Sequence, residues 1–359
     1  MKAWTRRIGV FQVVAGLALA VLAGPAPRAG AAEGIAVPGS VTAQEWGAYK
    51  AKFVNTTGRV IDDGNGGISH SESQGYGLLL AVSAQDPVGF EQIWSFTRSQ
   101  MLLRDDGLVV WKWDPNAKPH VADINNATDG DILIAYALGL GGQLWREPRY
   151  TTAARSLASA IAAKTLVQVN GQTLLLPGAA GFGAKDRPDG PVVNPSYWIF
   201  EAFPVLKTLA PDTDWSKVSA GGLSVLERAG TGPTGLPPEW LSLKGTPRPA
   251  DGFPVQFGYN AVRIPLYLLR GGIADPARLA PYLKAWAAVT PAVVNLGNGG
   301  AAEQLAEPGY QMVAAAVGCA AGAKRVPEAL KRFSPTLYYP STLHLLGLSL
   351  VRQRYASCL

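Results

Sequence analysis

Glu72 lies in the stretch Ser69 to Leu80, SHSESQGYGLLL, among hydroxyls, an amide and an aromatic ring just ahead of an apolar run. A second stretch, Asn126 to Trp145 (NATDGDILIAYALGLGGQLW), repeats the design with Asp129 and Asp131 at the start of another apolar segment. Both stretches read as helix N-termini, where unpaired backbone N–H groups and the helix dipole favour negative charge. Carboxyl groups presented this way suit hydrolysis of a glycosidic bond, which needs one on either side of the sugar linkage. Ser71-x-x-Gln74 and Thr128-x-x-Asp131 also have the spacing of helix capping boxes, so part of each motif starts a helix. Glu72 and Asp129 lie beside those pairs and are left for chemistry.

The elements that must position these acids are mostly helical. Thr42 to Phe53 reads as an amphipathic helix capped by Thr42 and Glu45. Eleven further helical patterns fall at about 73–83, 87–101, 129–144, 149–165, 195–209, 214–228, 259–269, 276–289, 309–317, 327–333 and 341–352. Strand-like segments are few and short, at 108–113, 166–169 and 173–176. About twelve helices in antiparallel pairs can close into a ring of inner and outer helices, and a continuously apolar run such as Ile132–Leu140 suits the inner ring. An α-solenoid would need a repeat of fixed period, which the chain lacks. Long irregular loops at 54–70, 103–127, 178–195 and 230–258 can build a cleft on such a scaffold.

Of 359 residues, 48% are hydrophobic and 16% charged, enough to bury a large core in a single domain. The formal charge of +6 comes from scattered Lys and Arg, which excludes a nucleic-acid binder built on basic runs. Three dispersed histidines argue against a metal site, and no phosphate loop or cofactor fingerprint appears, so neither metal nor cofactor is expected. Lys2, Arg6 and Arg7, the apolar run from Gly9 and the small residues Ala29-Gly30-Ala31 read as a secretory signal over 1–31, leaving 32–359 as the catalytic domain. No stable membrane insertion is expected after cleavage, and the product is a secreted or periplasmic monomer. Outside the cytoplasm Cys319 and Cys358 can pair; their spacing leaves that open.

ATDGDILIAYALGLGGQLW at 127–145 and SESQGYG at 71–77 resemble the two acid-bearing motifs of glycoside hydrolase family 8, with Ser73 and Gly141 where the family usually has Gly and Ala. NPSYW at 194–198 and the Tyr-x-Ala-x-Arg run at 259–263 recur in similar order. The similarity is greatest to rhizobial cellulases and to those linked to bacterial cellulose synthesis. It implies an all-α (α/α)6 barrel and an endo-β-1,4-glucanase that inverts the anomeric centre. By motif, Glu72 is the general acid and Asp129 the signature's cleft aspartate. Asn260 stands where the cellulose-synthesis branch has its base, and an amide is no base. Asn260 then orients water while Asp189 (with Asp186), Asp251 or Asp129 takes the proton.

Substrate contacts are expected from Tyr76, Trp111, Trp113, Asp131, Tyr197 and Arg263, with Trp240 a further stacking residue and Trp198 in the core. Arg263 either binds a cleft carboxylate or pairs structurally. Trp111 and Trp113 share a side if that segment is extended. The expected partner is a β-1,4-glucan, with mixed-linkage glucan, xylan or chitosan as alternatives. A glucan-binding protein without catalysis is the reading from another class.

Overall fold

The computed structural model describes residues 38–286, 291–322 and 324–359. The leader expected at 1–31 and the end of the helical pattern expected at 276–289 lie outside those residues. Eleven α-helices are found among the described residues: α1 Ala43–Phe53, α2 Ser71–Ser83, α3 Pro87–Gln100, α4 Thr128–Leu144, α5 Pro148–Thr165, α6 Phe203–Leu209, α7 Trp215–Ala229, α8 Ile264–Arg270, α9 Pro276–Trp286, α10 Pro308–Ala320 and α11 Tyr338–Arg354.

Side-chain pattern sorts them into two rings. All seven residues of α8 are buried, and in α11 only Tyr339 escapes burial between Tyr338 and Val351. Such helices have no solvent face and belong inside. α2 packs on α4, α4 on α6, α8 on α10, α10 on α11 and α11 on α2, and the turn at Pro195–Tyr197 ahead of α6 packs on α8, which closes the inner ring. The amphipathic helices α1, α3, α5, α7 and α9 lie against α11, α2, α4, α6 and α10 from outside. This is the inner-and-outer plan of an (α/α)6 barrel.

The sixth outer position departs from expectation. Only a 3-10 turn, Glu328–Leu330, forms in 327–333, because seven residues bounded closely by Pro327 and Pro335 are too few to sustain a helix. The pattern at 195–209 divides into a 3-10 turn, Pro195–Tyr197, and α6. That at 259–269 begins as a 3-10 turn, Ala261–Arg263, before α8. Pro204 and Pro265 sit in the first turns of α6 and α8, where their missing N–H leaves no broken bond.

The hairpin β3 Leu166–Val169 and β4 Gln172–Leu175 turns at Asn170-Gly171, both at positive φ, close to the expected strands. The strand expected at 108–113 shrinks to Lys112–Trp113 (β2), paired with Ser69–His70 (β1). Further short strands lie in the long loops: β5 Val192–Val193, β6 Leu241–Ser242 and β7 Arg248–Pro249 in one sheet, and β8 Gln256–Phe257, β9 Ala292–Asn295 and β10 Ala301–Gln304 in another. Cys319 and Cys358 form a disulfide that ties the end of α10 to the C-terminal segment. Among the described residues no helix is long and apolar enough to cross a membrane.

Candidate active site

Glu72 is the only residue of α2 that is not buried. Its position follows from how closely α2 and α4 approach. A Cβ at Gly75 would lie 2.5 Å from Leu133 Cβ, and one at Gly130 would lie 2.1 Å from Ser71 Oγ. Glycine at these points lets the first turns of the two helices touch. Glu72 and Asp129, each the second residue of its helix, are thereby brought to one guanidinium. Arg263 donates through Nη1 to Glu72 Oε2 and through Nη2 to Asp129 Oδ2 at 2.6 Å.

The helix starts are built differently from the capping boxes read in the sequence. At α2 the cap is His70: its Nδ1 accepts from Ser73 N–H at 3.1 Å, and Ser73 Oγ accepts from His70 N–H at 3.1 Å. Ser71 is already inside the helix, facing Gly130, and Gln74 is drawn away to the loop before β1. There Gln74 accepts from Val60 N–H at 2.7 Å and donates to Thr97 Oγ1 at 2.9 Å. At α4 no side chain caps the helix. Asp131, expected as a cap or substrate contact, is enclosed and accepts from Val109 N–H at 2.8 Å and from the Asn126 amide at 2.7 Å.

Arg263 is completely buried, so it holds the acids and does not present itself to substrate. Its Nη2 also donates to Ser196 Oγ at 3.2 Å, and that hydroxyl donates to Asn194 Oδ1 at 2.8 Å. The NPSYW motif thus buttresses the guanidinium. Tyr197 and Tyr267 flank it, with ring centroids 5.7 and 5.8 Å from Cζ. Tyr76, expected as a stacking platform, is fully buried beneath Arg263 and hydrogen-bonds the Tyr267 hydroxyl. Its place one turn beyond Glu72 on an inner helix points it at the barrel interior.

One guanidinium serves two carboxyls, so the fully ionised cluster carries an excess negative charge. Burial drives the Asp129 carboxyl up, Arg263 pulls it down and the charge of Glu72 pushes it up again, leaving it at about 6. Burial likewise lifts Asp131 to about 8, against the two donors that favour its carboxylate. Burial pushes the Tyr197 phenol well above its ordinary range; Asp129, Glu72 and Glu239 add to that and Arg263 opposes it. His70 is raised despite its burial, because Asp62, hydrogen-bonded to Nε2 at 3.1 Å, and Glu72 favour the imidazolium.

The remaining acids read as bases are engaged elsewhere. Asp189 accepts from Arg187 Nε at 2.9 Å and from Asp251 N–H at 2.8 Å, and Arg187 holds its carboxyl below the usual range. Asp251 is exposed and accepts from both Arg248 Nη atoms, at 2.6 and 3.0 Å, with the same downward effect. Asp186 accepts the N–H groups of Gly181 and Gly183 in a turn. Asn260 directly precedes the Ala261–Arg263 turn.

Sequence reasoning missed Glu239. It is 6% exposed, and it accepts from Asn260 N–H at 2.7 Å and from Gln256 Nε2 at 3.0 Å. It follows Pro237-Pro238 in a loop with no helix start to draw attention to it. The aromatics divide. Trp198 is core, donating to Val218 O at 2.9 Å, while half-buried Trp240 is stacked between Phe182 and Phe253 at 5.5 and 4.5 Å. Trp113 lies on His120 at 4.3 Å with Arg59 over its ring, and Trp111 donates to Asp123 at 2.8 Å. Their surroundings differ, so they do not form one shared stack.

Comparison with known proteins places these features in a family. A profile of glycosyl hydrolases family 8 matches residues 28–353. A probable endoglucanase of Novacetimonas hansenii is 36% identical over 283 residues, 77% of this chain and 82% of that protein. An endoglucanase of Cellulomonas uda is 36% identical over 271 residues, 73% of this chain and 74% of that protein. The solved structure of an Acetobacter xylinum endo-β-1,4-glucanase superposes with a TM-score of 0.78 at 32% identity, covering 90% of this chain and 99% of that one.

Proposed function

The chain belongs to glycosyl hydrolase family 8 and is a glycoside hydrolase of the endoglucanase type, and from that premise we propose that it is a secreted, inverting endo-β-1,4-glucanase with Glu72 as its general acid. The observation that carries this reading is the pairing of Glu72 and Asp129 on a single buried guanidinium, with Glu72 alone among α2 residues reaching out of the core. A general acid must be able to reach the leaving oxygen, and Glu72 is the carboxyl of the cluster that faces out of the core. Asp129 holds the other end of the Arg263 guanidinium and so helps keep Glu72 in place. Glu72 then gives the proton to the departing glycosidic oxygen as the C1–O bond breaks.

The residues that carry this reading need no metal or cofactor. The substrate is a β-1,4-linked glucan, the linkage for which the Acetobacter xylinum enzyme is named. The half-buried Tyr197 and Trp111 supply apolar faces for the sugar rings. Residues 1–31 direct export and 32–359 carry the activity, in the periplasm or outside the cell.

Purified protein on carboxymethylcellulose tests the reading. Wild type should release reducing ends that are initially α-anomers, seen by NMR, while Glu72→Gln should lose roughly 10³-fold in turnover, the scale of a lost proton donor. A Glu72→Gln enzyme as fast as wild type, or β-anomers as first products, would overturn it.

A further inference from the structure

We propose that Glu239 is the general base that activates the attacking water, an assignment that rests on Glu72 being the acid. Inversion requires a carboxylate across the sugar from the acid, with roughly 6.5–9.5 Å between the two to admit water. Asp129 does not meet that need: it is hydrogen-bonded to the same guanidinium as Glu72, at the touching first turns of α2 and α4, and so stands beside the acid rather than across a sugar from it. Asp189 and Asp251 are each neutralised by an arginine of their own. Asp131 is fully enclosed and has no surface for a water, which leaves Glu239, at 6% exposure, as the buried carboxylate near the cluster. It comes from the loop between α7 and α8, a different wall from the helix ends that bear Glu72 and Asp129. Tyr197 stands between, with Arg263 against its ring at 5.7 Å and the neighbour of Glu239, Trp240, 6.3 Å from it.

The local structure holds Glu239 as a base must be held. Pro237 and Pro238 stiffen the chain before it, and its own N–H donates to Gln256 O at 3.1 Å. A Cβ at residue 258 would come within 2.9 Å of Glu239 Oε1, so Gly258 makes the space that the carboxylate fills. Both recorded partners of the carboxylate, Asn260 N–H and the Gln256 amide, are neutral. They occupy two of about four acceptor positions and leave others for water. Among the described residues no cation pairs with it, whereas buried Glu201 has Arg270. The side-chain amide of Asn260 makes no hydrogen bond among the described residues and is available to orient the same water. A carboxylate at 239 thus supplies the group that an amide at 260 cannot.

In the reaction, the oxygen of a water bonds to C1 while one of its protons passes to Glu239. The C1–O bond to the leaving chain breaks, and its electron pair takes the proton of Glu72. Glu239 ends protonated and Glu72 ionised, and exchange with solvent resets both.

The test uses the full chain, carboxymethylcellulose, 2,4-dinitrophenyl β-cellotrioside and azide, a small anion that attacks C1 without needing a base. Glu239→Ala and Glu239→Gln should each lose about 10³-fold in kcat with KM within a few-fold of wild type. Azide should restore turnover of the Ala variant on the activated substrate at least about tenfold and yield the α-glycosyl azide, inverted at C1. Glu72→Gln should be inactive on the polymer yet turn over the dinitrophenyl substrate, whose leaving group needs no proton. If the Ala variant fails to fold, the same azide experiment on Glu239→Gln decides. Glu239 variants within tenfold of wild type, or slow variants that give no α-azide, would overturn the base assignment while an inactive Glu72→Gln leaves the acid standing. Full polymer activity in Glu72→Gln would instead remove the acid assignment beneath it.

Discussion

Arg263 and Arg270 are seven residues apart on one stretch of chain, and both are completely buried. Arg270 meets a single acid: Nε and Nη2 donate to the two oxygens of Glu201 at 2.5 and 2.9 Å, Nη1 donates to Leu346 O at 3.0 Å, and Tyr136 OH adds a bond to Glu201 at 3.3 Å. Charge is balanced and each nitrogen of the guanidinium is used. Arg263 meets two acids, and its Nε has no partner among the described residues. The first arrangement closes a core; the second stores negative charge where α2 and α4 begin. The same residue type, in the same barrel wall, closes a core where its partners cancel it and, on the proposed reading, serves function where they exceed it.

Removing each arginine should separate the two roles. Arg263→Met leaves Glu72 and Asp129 without their clamp, and activity on carboxymethylcellulose should fall by about 10³-fold or more, with the double variant Arg263→Met/Glu72→Gln little worse, since the two act as a unit. Arg270→Met strands Glu201 in the core and should cost about 3–5 kcal/mol of unfolding free energy by denaturant titration. Adding Glu201→Leu should recover most of that loss, because a buried pair replaced by apolar groups is often neutral. The folded Arg270→Met/Glu201→Leu enzyme should keep kcat within a few-fold of wild type. If it is as inactive as the Arg263 variant, the distinction between the sites is wrong.

How legible each site was in the sequence follows the range of its contacts. Glu72 and Asp129 stood out because each lies in one continuous motif at a helix start, where short-range pattern and chemistry coincide. The outer and inner helices were legible by periodicity, apart from 327–333, where closely spaced prolines leave a single 3-10 turn. The caps were misassigned by one position at α2, since the register that puts Ser71 inside the helix is set by Gly130 on another helix, 59 residues on. Glu239 and Glu201 were illegible for a similar reason. Each becomes a buried carboxylate only when a distant segment, 256–260 or 270, folds against it. A lone Glu after two prolines, or within IFEAF, carries no local sign of that.

The charge excess at Arg263 also has a pH signature. The Asp129 carboxyl is raised from its ordinary value near 3.8 to about 6. Between those values the folded state holds a proton that the unfolded chain has released, so this contribution to stability is present at low pH and is lost as pH rises through about 6. Asp129→Asn should remove that loss. The variant should gain on wild type in thermal midpoint between pH 4 and 7, by the equivalent of about 2–3 kcal/mol at most. Equal slopes in wild type and Asp129→Asn would show that the excess charge is not held at Asp129.

The smallest effect concerns the one departure from the family motif that the site explains. Ser73 occupies a position usually held by Gly, and its hydroxyl closes the reciprocal cap with His70 that starts α2 one residue before Glu72. Ser73→Gly removes the hydroxyl but keeps the N–H that donates to His70 Nδ1. It should therefore cost only about 1 kcal/mol, the scale of a lost helix cap together with a more flexible helix interior. Activity at 25 °C should stay within about threefold of wild type, because Gly75, Gly130 and Arg263, rather than the cap, fix the acid. His70→Ala, which takes away the acceptor for Ser73 N–H and the partner of Asp62, should cost more in stability than Ser73→Gly. A Ser73→Gly enzyme with normal stability but activity down a hundredfold would place the cap inside the catalytic machinery and move the boundary between scaffold and site to the first turn of α2.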